Sequence, residues 1–576
     1  MAYFISDLCM CCSRCAEVCP VSAISFDGDK MAVDPGKCID CGTCSRYCMT
    51  GAANNSTAPS AGGESEYICD LVVIGGGGSG MMAAARFAYL TGKKVIVLEK
   101  MPKTGGAAVF AMDFRMFGSR WQKEHGIEER FQENLLLAMD ETQWKLDPRL
   151  VENCFTATGR LFDWVGELNP GSDDLFREGS YVFDSPIGAA VPSYIRKGRK
   201  ADGAMGQYMM DTMLRVCREK GVTILTGHSA TEIITENGVV TGVTAEGPRG
   251  RVDISCRACV LACGSWINNK LALERCCPEF AAMPHARNPH MSPAYTGDGI
   301  KLAEDAGAFI DYDSFVLRFM GPMVPNAGVV AGLMCDSHYC LTVNLRGERW
   351  IEGDVSNRMG FFKNVMPLLH QPEGMAVYVF CADNLLLAQE DLKGTMVTDI
   401  DLQDFPGTAY AKNMAARGRC NVTAPEDFIA EMEKSMEKYP FSIFRADTPE
   451  KLAEITGVDP AGLRRSIDDY NARIADGRVD ALFKPDKYRA PMINGPFYAV
   501  KGGLGTDGAF GGVPVDPEMR AKKADSSTVP GLYVTGDFAS GRFINNGGFK
   551  NQIINDIAWA FASGFLAGES AADYLK

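Results

Sequence analysis

The chain has 576 residues, 46% of them hydrophobic and 23% charged, which is typical of a globular protein with roughly two to four domains. Its formal charge of −14 argues against binding to nucleic acids or anionic membranes, and no run of about twenty apolar residues suggests a membrane span. Its 21 cysteines, with no basic signal segment at the N-terminus, predict metal ligands and free thiols in a reducing cytoplasm.

Two cysteine runs of equal spacing lie near the N-terminus. The first run is Cys9, Cys12, Cys15 and Cys19, and the second is Cys38, Cys41, Cys44 and Cys48. This doubled C-x2-C-x2-C-x3-C pattern is typical of bacterial ferredoxins with two [4Fe–4S] clusters, in which the fourth cysteine of each run binds the other cluster. We therefore assign two sets of cluster ligands, which exchange the fourth cysteine between the two runs. The first set, for one cluster, is Cys9, Cys12, Cys15 and Cys48. The second set, for the other cluster, is Cys19, Cys38, Cys41 and Cys44.

The competing interpretation is a pair of zinc knuckles, which this spacing disfavours. Cys11 falls outside both sets. Short apolar segments at 24–26 and 31–33 flank Asp27-Gly28-Asp29 and predict a hairpin. We expect a ferredoxin-like module over residues 1–53, stabilised largely by its clusters, and a polar, glycine-rich linker over 54–66.

A strand, a glycine turn, a helix and a second strand follow the linker. Leu71–Ile74 is apolar, and Gly75, Gly77 and Gly80 supply a G-x-G-x-x-G motif before a helical stretch at 81–91. A second apolar strand at 94–98 leads to Glu99, where an acid can accept hydrogen bonds from a ribose. This order of strand, glycines, helix, strand and acid predicts a dinucleotide site with the pyrophosphate at the helix N-terminus. The alternative interpretation is a glycine-rich loop in another kind of α/β protein.

Glu99–Ala107, reading E-K-M-P-K-T-G-G-A, resembles the flavoproteins that include soluble fumarate reductase, urocanate reductase and 3-ketosteroid dehydrogenase. Further matches are Ala262–Gly264, Thr296–Gly299 and Gly531–Asp537, so the resemblance covers about residues 67–576. It implies an α/β protein: a Rossmann-like FAD-binding domain with an inserted α+β cap, beside the small α+β ferredoxin-like domain. The expected boundaries are 67–299 and 491–576 for the FAD-binding domain and 300–490 for the cap.

The resemblance also implies which residues contact FAD. They are Gly75, Gly77, Ser79, Gly80, Glu99, Lys100, Gly105, Gly106, Ala107, Ala230, Gly264, Asp298, Asp537, Asn551 and Ile553. No histidine stands near the Gly105-Gly106 pair, so the FAD is expected to be non-covalent. Cys256, Cys259 and Cys263 mimic a metal motif, but the apolar segment between them predicts a buried strand.

Three residues are candidates for catalysis. Tyr498 lies in P-F-Y-A, where the ketosteroid enzymes keep a tyrosine that polarises a carbonyl; the alternative is a packing role. Arg358 follows Val343–Glu352, which resembles a stretch of the family that lies close to a proton-delivering arginine. The alternative is that Arg358 is a solvated surface arginine. Lys550 opens a C-terminal helix and could bind a carboxylate, or it is solvated.

Two parts of the family's dicarboxylate clamp are missing. The stretch Gly505–Ala509 lacks the expected histidine, and Gly547 replaces the expected arginine. We therefore expect an ene or enoate reductase that acts on a C=C bond next to a carbonyl or carboxylate, in an oxygen-poor setting. A ferredoxin, a flavodoxin or an NAD(P)H-linked partner would donate electrons, relayed by the clusters to FAD. The alternatives are a 3-ketosteroid-type enzyme and an electron-transfer subunit without substrate chemistry.

Overall fold

The structure is a computed structural model, and it describes most of the chain. The described residues are 3–6, 9, 14–17, 19–27, 30–48, 52–54, 65–111, 113–127, 131–141, 144–172, 176–181, 191–196, 205–283, 295–323, 334, 339–352, 366–392, 396–397, 422–423, 426–438, 440, 442–539 and 556–576.

A six-stranded sheet, here called the FAD sheet, forms the centre of the largest unit. Its first five strands are parallel and the last is antiparallel. Across the sheet the strands are Thr223–Thr226, Val95–Glu99, Leu71–Ile74, Ala258–Leu261, Thr528–Val534 and Arg520–Lys522. The central strands are buried throughout, as expected for apolar parallel strands that helices cover on both faces.

Helices from distant parts of the sequence cover this sheet. Gly78–Thr91 packs extensively against the C-terminal helix Asp556–Tyr574, where Gly564 and Gly568 allow close approach. Pro148–Leu168 and Met205–Glu219 complete the layer. The helix predicted at 81–91 is therefore confirmed, starting three residues earlier, and Cys259 lies on a buried strand as predicted.

Two smaller sheets are attached to this unit. One has four strands in the order Ser229–Glu236, Val239–Gly247, Gly250–Ser255 and Ser65–Ile68. The other has three, in the order Asp113–Arg115, Val191–Arg196 and Phe176–Tyr181. Further helices in this part are Arg120–Glu124, Phe131–Glu141, Lys270–Cys276, Pro278–Ala281 and Asp298–Asp305.

A second six-stranded sheet, the cap sheet, is antiparallel. Five strands follow the order Val316–Met323, Phe497–Phe510, Met375–Cys381, Leu341–Val343 and Arg349–Ile351, and Ile443–Ala446 also pairs with Phe497–Phe510. A two-stranded sheet joins Met396–Val397 to Val422–Thr423. The helices of this region are Met366–Leu369, Ala382–Leu392, Phe428–Lys438, Pro449–Thr456 and Pro460–Ala475.

The cap sheet has different cores on its two faces. One face shares the core of the FAD sheet, whereas the other packs on the helices Pro449–Thr456 and Pro460–Ala475 as a separate cluster. The long strand Phe497–Phe510 alternates between these faces, because successive side chains of a strand point to opposite sides. From its last residue the chain returns directly to the FAD sheet.

The N-terminal module is small. It has the predicted hairpin, Ile24–Phe26 paired with Met31–Val33, and a second pair of strands, Phe4–Ile5 with Ala53–Asn54. Arg14–Glu17 and Thr43–Tyr47 are its helices. Its own core includes cysteines of both sets. Across the described parts of the chain, no helix is both long and apolar enough to span a membrane.

Candidate functional site

The first glycine turn leaves no room for side chains at Gly75 and Gly80. Gly75 has a φ of 109°, and a Cβ there would lie 2.2 Å from the carbonyl oxygen of Ala262. A Cβ on Gly80 would lie 2.0 Å from the oxygen of Gly75. A Cβ on Gly77, by contrast, would meet nothing within 4 Å, so this residue borders open space at the start of the helix. Such a turn fits close backbone approach to a pyrophosphate.

A second glycine loop lies against the first. The Gly105 amide donates to the carbonyl oxygen of Gly76 at 2.9 Å, and Gly106 lies close to the Gly77 Cα. Gly105 has a φ of 140° and Gly106 a φ of 57°, both in the region that favours glycine. The three-glycine turn and the glycine pair, which were predicted separately, thus form one cradle, which we call the flavin cradle.

The side chain of Glu99 stabilises this cradle through hydrogen bonds to its backbone. Its carboxylate is 8% exposed and accepts hydrogen bonds from the amides of Gly76, at 2.8 Å, and Met101, at 2.7 Å. Burial raises the pKa of Glu99, and the two amide hydrogen bonds oppose that rise. The predicted ribose ligand is therefore also a structural link between the two strand ends, and each of its oxygens keeps a lone pair for a further donor.

Lys100 and Asp298, both predicted to contact FAD, bind each other. Their charged groups are 2.6 Å apart, and Thr296 contacts both at 2.8 Å and 2.6 Å. Their side chains are partly exposed at the edge of the cradle. The Thr296–Gly299 segment therefore lies beside the loop that begins at Glu99.

Tyr295 is a cradle residue that the sequence did not reveal. Its hydroxyl accepts a hydrogen bond from the Ala107 amide at 2.7 Å, and its ring lies 3.4 Å from where a Gly264 Cβ would be. Burial raises its pKa, and the nearby Asp537 carboxylate raises it further. In the sequence, Tyr295 is marked only by its position just before the Thr296–Gly299 segment. Its contact with Ala107 joins residues that are far apart in the chain, so a local motif could not predict it.

The remaining described FAD candidates lie around the same edge of the sheet. Asp537 sits in the turn Gly536–Ala539, where the Gly536 amide donates to the Ser563 hydroxyl at 3.0 Å. Ser79 closes the other side of this turn, because a Gly536 Cβ would be 2.7 Å from its hydroxyl oxygen. Ala230 begins the neighbouring four-stranded sheet, just past His228, whose amide binds the Glu99 carbonyl oxygen.

Tyr498 is placed differently from the cradle residues. It is fully buried in the cap sheet, its ring is 5.9 Å from that of Phe380, and it pairs across strands with Arg445. Burial raises its pKa, against the effect of the Arg445 guanidinium. It lies on the same strand as Phe510, whose carbonyl oxygen accepts a hydrogen bond from the Trp266 indole at 3.2 Å, and on the face of the cap sheet that shares the core of the FAD sheet. The other candidates, Arg358, Lys550, Asn551 and Ile553, lie outside the described residues.

All four cysteines of the second set line one pocket in the N-terminal module. Its walls also include Tyr3, Pro20, Val21, Ala23, Ile24, Val33, Ile39 and Gly42. The Ala23 amide donates to the Cys19 sulfur at 3.2 Å. Burial raises the pKa of Cys44, and the neighbouring thiols of Cys38, Cys41 and Cys19 raise it further. A ring of thiols with amide donors around an apolar cavity fits a four-iron cluster.

Three members of the first set, Cys9, Cys15 and Cys48, share the core of the module, and the Ala53 amide donates to the Cys48 sulfur at 3.3 Å. Cys12 lies outside the described residues. Within the described ranges, no three His, Cys, Asp or Glu residues come close enough to hold a single metal ion. A cubane is bound at its corners, one thiolate to each iron, so its ligands surround a cavity and do not converge on a point.

One lysine joins the two units. Lys103, in the loop that leads to Gly105, donates to the carbonyl oxygens of Ser45 and Cys48, the latter at 3.1 Å. Cys48 directly follows the helix Thr43–Tyr47, so the contact brings an end of the cysteine module to the flavin cradle.

Comparisons with known proteins agree with this geometry. A sequence profile described as an FAD binding domain matches residues 70–548. NADH:acrylate oxidoreductase from Vibrio harveyi is 24% identical, over 88% of this chain and 51% of its own length. The probable fumarate reductase Ifc3 of Shewanella frigidimarina is 26% identical, over 89% of this chain and 76% of its own.

A solved structure shares the fold. The open conformation of a flavocytochrome c3 fumarate reductase superposes with a TM-score of 0.65 at 21% identity, covering 96% of this chain and 86% of that one. The chain therefore spans about half the length of the acrylate enzyme but most of the flavocytochrome. The likeness to the flavocytochrome establishes the fold around the cradle.

Proposed function

The chain belongs to the FAD binding domain family, and from that premise we propose that it is a reductase of C=C bonds conjugated to a carbonyl or carboxylate. The observation that carries the proposal is the flavin cradle: two glycine loops joined from Gly105 to Gly76, beside open space at Gly77. The names of its relatives denote oxidoreductases of acrylate and of fumarate, both small unsaturated carboxylates.

In this proposal the cradle holds a non-covalent FAD through backbone groups. The amides at the start of Gly78–Thr91 would hold the pyrophosphate, Glu99 would bind the ribose, and Asp537 would bind the ribityl chain. FAD, when bound, supplies hydride chemistry. Tyr295 fixes the Ala107 amide, and the Lys100–Asp298 pair keeps the rim in place, so both act by positioning.

The substrate we propose is neutral or carries a single carboxylate. Two groups of the family's dicarboxylate clamp are missing, at Gly505–Ala509 and Gly547. Lys550 would bind the carboxylate or carbonyl oxygen, and Arg358 would deliver the proton. Tyr498 stays a candidate, because its side chain lies on the face of the cap sheet that shares the core of the FAD sheet.

We further propose that the two cysteine sets bind [4Fe–4S] clusters that pass electrons to the FAD. The cysteine-lined cavity and the amide–sulfur hydrogen bonds to Cys19 and Cys48 support this assignment. Clusters exchange one electron and flavins two, so the module would let a one-electron donor drive a two-electron reduction. The donor would be a reduced ferredoxin, a flavodoxin or an NAD(P)H-linked protein.

The test is an anaerobic screen of the dithionite-reduced protein, following reoxidation of its flavin absorbance with acrylate, fumarate and a steroid enone. We expect reoxidation by acrylate to exceed that by fumarate. A response to the steroid enone alone would favour a ketosteroid-type enzyme, and no response to any of them would favour an electron-transfer subunit. Metal analysis should give about eight irons per FAD; zinc, or no metal, would reject the clusters.

A further inference from the structure

Lys103 contacts the cysteine module from the loop that leads into the flavin cradle. It is half-buried, and its ammonium group donates to the Ser45 and Cys48 carbonyl oxygens. Two residues further along the chain, Gly105 binds Gly76 across the cradle. One side chain therefore spans the distance from a predicted cluster ligand to the loop that borders the cofactor.

The chemistry of this contact suits a docking role. The last carbonyl groups of a helix have no partner within the helix, and they form the negative end of its dipole. Thr43–Tyr47 ends at Cys48, so a lysine ammonium group at this point satisfies carbonyl oxygens and complements the dipole. The same helix carries Cys44 of the second set, so docking at its end orients both sets.

Each set has one buried cysteine among its described members, Cys15 in the first set and Cys44 in the second. In the second set Cys41 is exposed, and its neighbour Ile39 is 59% exposed. In the first set Cys15 is buried and Cys48 adjoins Lys103. A protein donor can therefore approach Cys41 of the second set from solvent, whereas Cys48 of the first set contacts the cradle through Lys103.

We propose that Lys103 docks the cysteine module on the flavin cradle, with the first cysteine set as the electron exit to FAD and the second as the entry from the donor. This inference rests on the proposed function for its electron-transfer part, while the docking part depends only on the protein. Lys103 is a positioning residue in this scheme, because it contacts backbone oxygens and not the reacting atoms.

The docking is tested by hydrogen–deuterium exchange of the purified holoprotein, in peptides that cover residues 43–48 and 101–106. Lys103→Met removes the donor but keeps an apolar stem, and we expect exchange in both peptides to rise on the order of tenfold, the equilibrium change for loss of a charged hydrogen bond. Lys103→Arg should restore protection. Lys270→Met removes an exposed lysine that pairs with Glu274 at 3.6 Å, far from both segments in sequence, and should change neither peptide. Unchanged exchange in Lys103→Met would overturn the docking.

The electron path is tested by mixing oxidised protein with methyl viologen radical and following cluster and flavin absorbance separately. In Lys103→Met we expect the clusters to reduce at the normal rate and the flavin to lag about tenfold, in proportion to the lost docking. Equal flavin rates in both proteins would overturn the exit assignment even if exchange rises. A preparation without iron would reject the clusters and leave the exchange result to decide the docking.

Discussion

At the scale of single residues, Gly75 and Gly77 stand two positions apart in one turn, but a methyl group has different consequences at each. Gly75→Ala should cost on the order of 2 kcal/mol of folding free energy or more, because its φ is 109° and its Cβ would meet Ala262. Gly77→Ala should cost less than about 1 kcal/mol but weaken FAD binding, because its Cβ would enter the open space.

Denaturant unfolding of the apoproteins and FAD titration separate these effects. Comparable loss of stability in both variants would mean that Gly77 does not border the cofactor space. The same comparison shows what a motif predicts well: the glycines of the first turn are required by local backbone geometry, which the sequence displays directly.

Tyr295 gives the opposite case, because its role comes from contacts with residues far away in the sequence. Tyr295→Phe removes the acceptor of the Ala107 amide, and we expect a loss of about 1 kcal/mol, or roughly fivefold in FAD affinity. The control is Tyr312→Phe, because the Tyr312 hydroxyl contacts Glu304 at a long distance of 3.5 Å, and its removal should leave the FAD affinity unchanged. Flavin fluorescence during titration of the apoprotein measures both, and equal affinities would show that the Ala107 amide does not need its partner.

At the scale of elements, the cap contains a buried charge network that ties strand Arg349–Ile351 to the loop after helix Pro460–Ala475. Arg349 binds Asp480 through two hydrogen bonds of 2.8 Å and 3.0 Å, and Lys484 binds Glu352 at 3.1 Å. All four side chains are at most 7% exposed. Because buried ions need their partners, the network fixes the register of this strand and loop.

Lys484→Met should therefore destabilise the protein by about 3 kcal/mol, since it removes the nearer cation of the buried Glu352 carboxylate and leaves it with Arg349 alone, at 3.6 Å. The matched control is Arg464→Met, which breaks the half-exposed pair with Glu450 and should cost less than about 1 kcal/mol. Urea unfolding followed by circular dichroism measures both. A small effect in Lys484→Met would mean that Glu352 is protonated in the folded state.

The network also predicts a pH dependence. Burial by itself would raise the pKa of Asp480, but the Arg349 guanidinium outweighs it and lowers the pKa below its ordinary value. The stabilisation is therefore complete above the unfolded pKa of about 3.9 and is lost as the pH falls through the folded pKa. Glu352 acts in the opposite sense, because burial raises its pKa. The stability difference between wild type and Asp480→Asn should shrink in acid; a constant difference down to pH 3, roughly one unit below the free carboxyl, would contradict this.

The elements themselves were predictable to different degrees. The strands beside the glycine turn and the hairpin Ile24–Phe26 with Met31–Val33 follow from apolar runs and turn residues, and the structure has them. The position of Tyr498 was not predictable. Its motif is local, but its distance from the cradle depends on how the whole strand Phe497–Phe510 pairs within the cap sheet. Lys103 had no signal either, since its partners are more than fifty positions away.

At the scale of the whole molecule, the cysteine module and the flavin unit should be separable by mutation. Cys41→Ser changes an exposed member of the second set, and we expect loss of about four irons with FAD retained. Flavin reduction by a reduced ferredoxin should fail, whereas reduction by dithionite should persist. Cys276→Ser replaces a half-buried thiol outside both sets, and it should change neither the iron content nor the reduction of the flavin by ferredoxin. Loss of FAD together with iron would mean that the clusters maintain the fold of the cradle.

The packing of the first cradle helix on the last helix of the chain has a consequence for biosynthesis. Gly78–Thr91 packs against Asp556–Tyr574, and Lys93 binds the carbonyl oxygen of Leu575. Thr528–Val534 also lies inside the FAD sheet. The nascent chain therefore cannot complete its flavin pocket until residues 556–576 have left the ribosome, whereas residues 1–53 emerge much earlier. The proposed clusters could thus be inserted well before the flavin pocket closes, so the two kinds of cofactor would enter at different stages of synthesis.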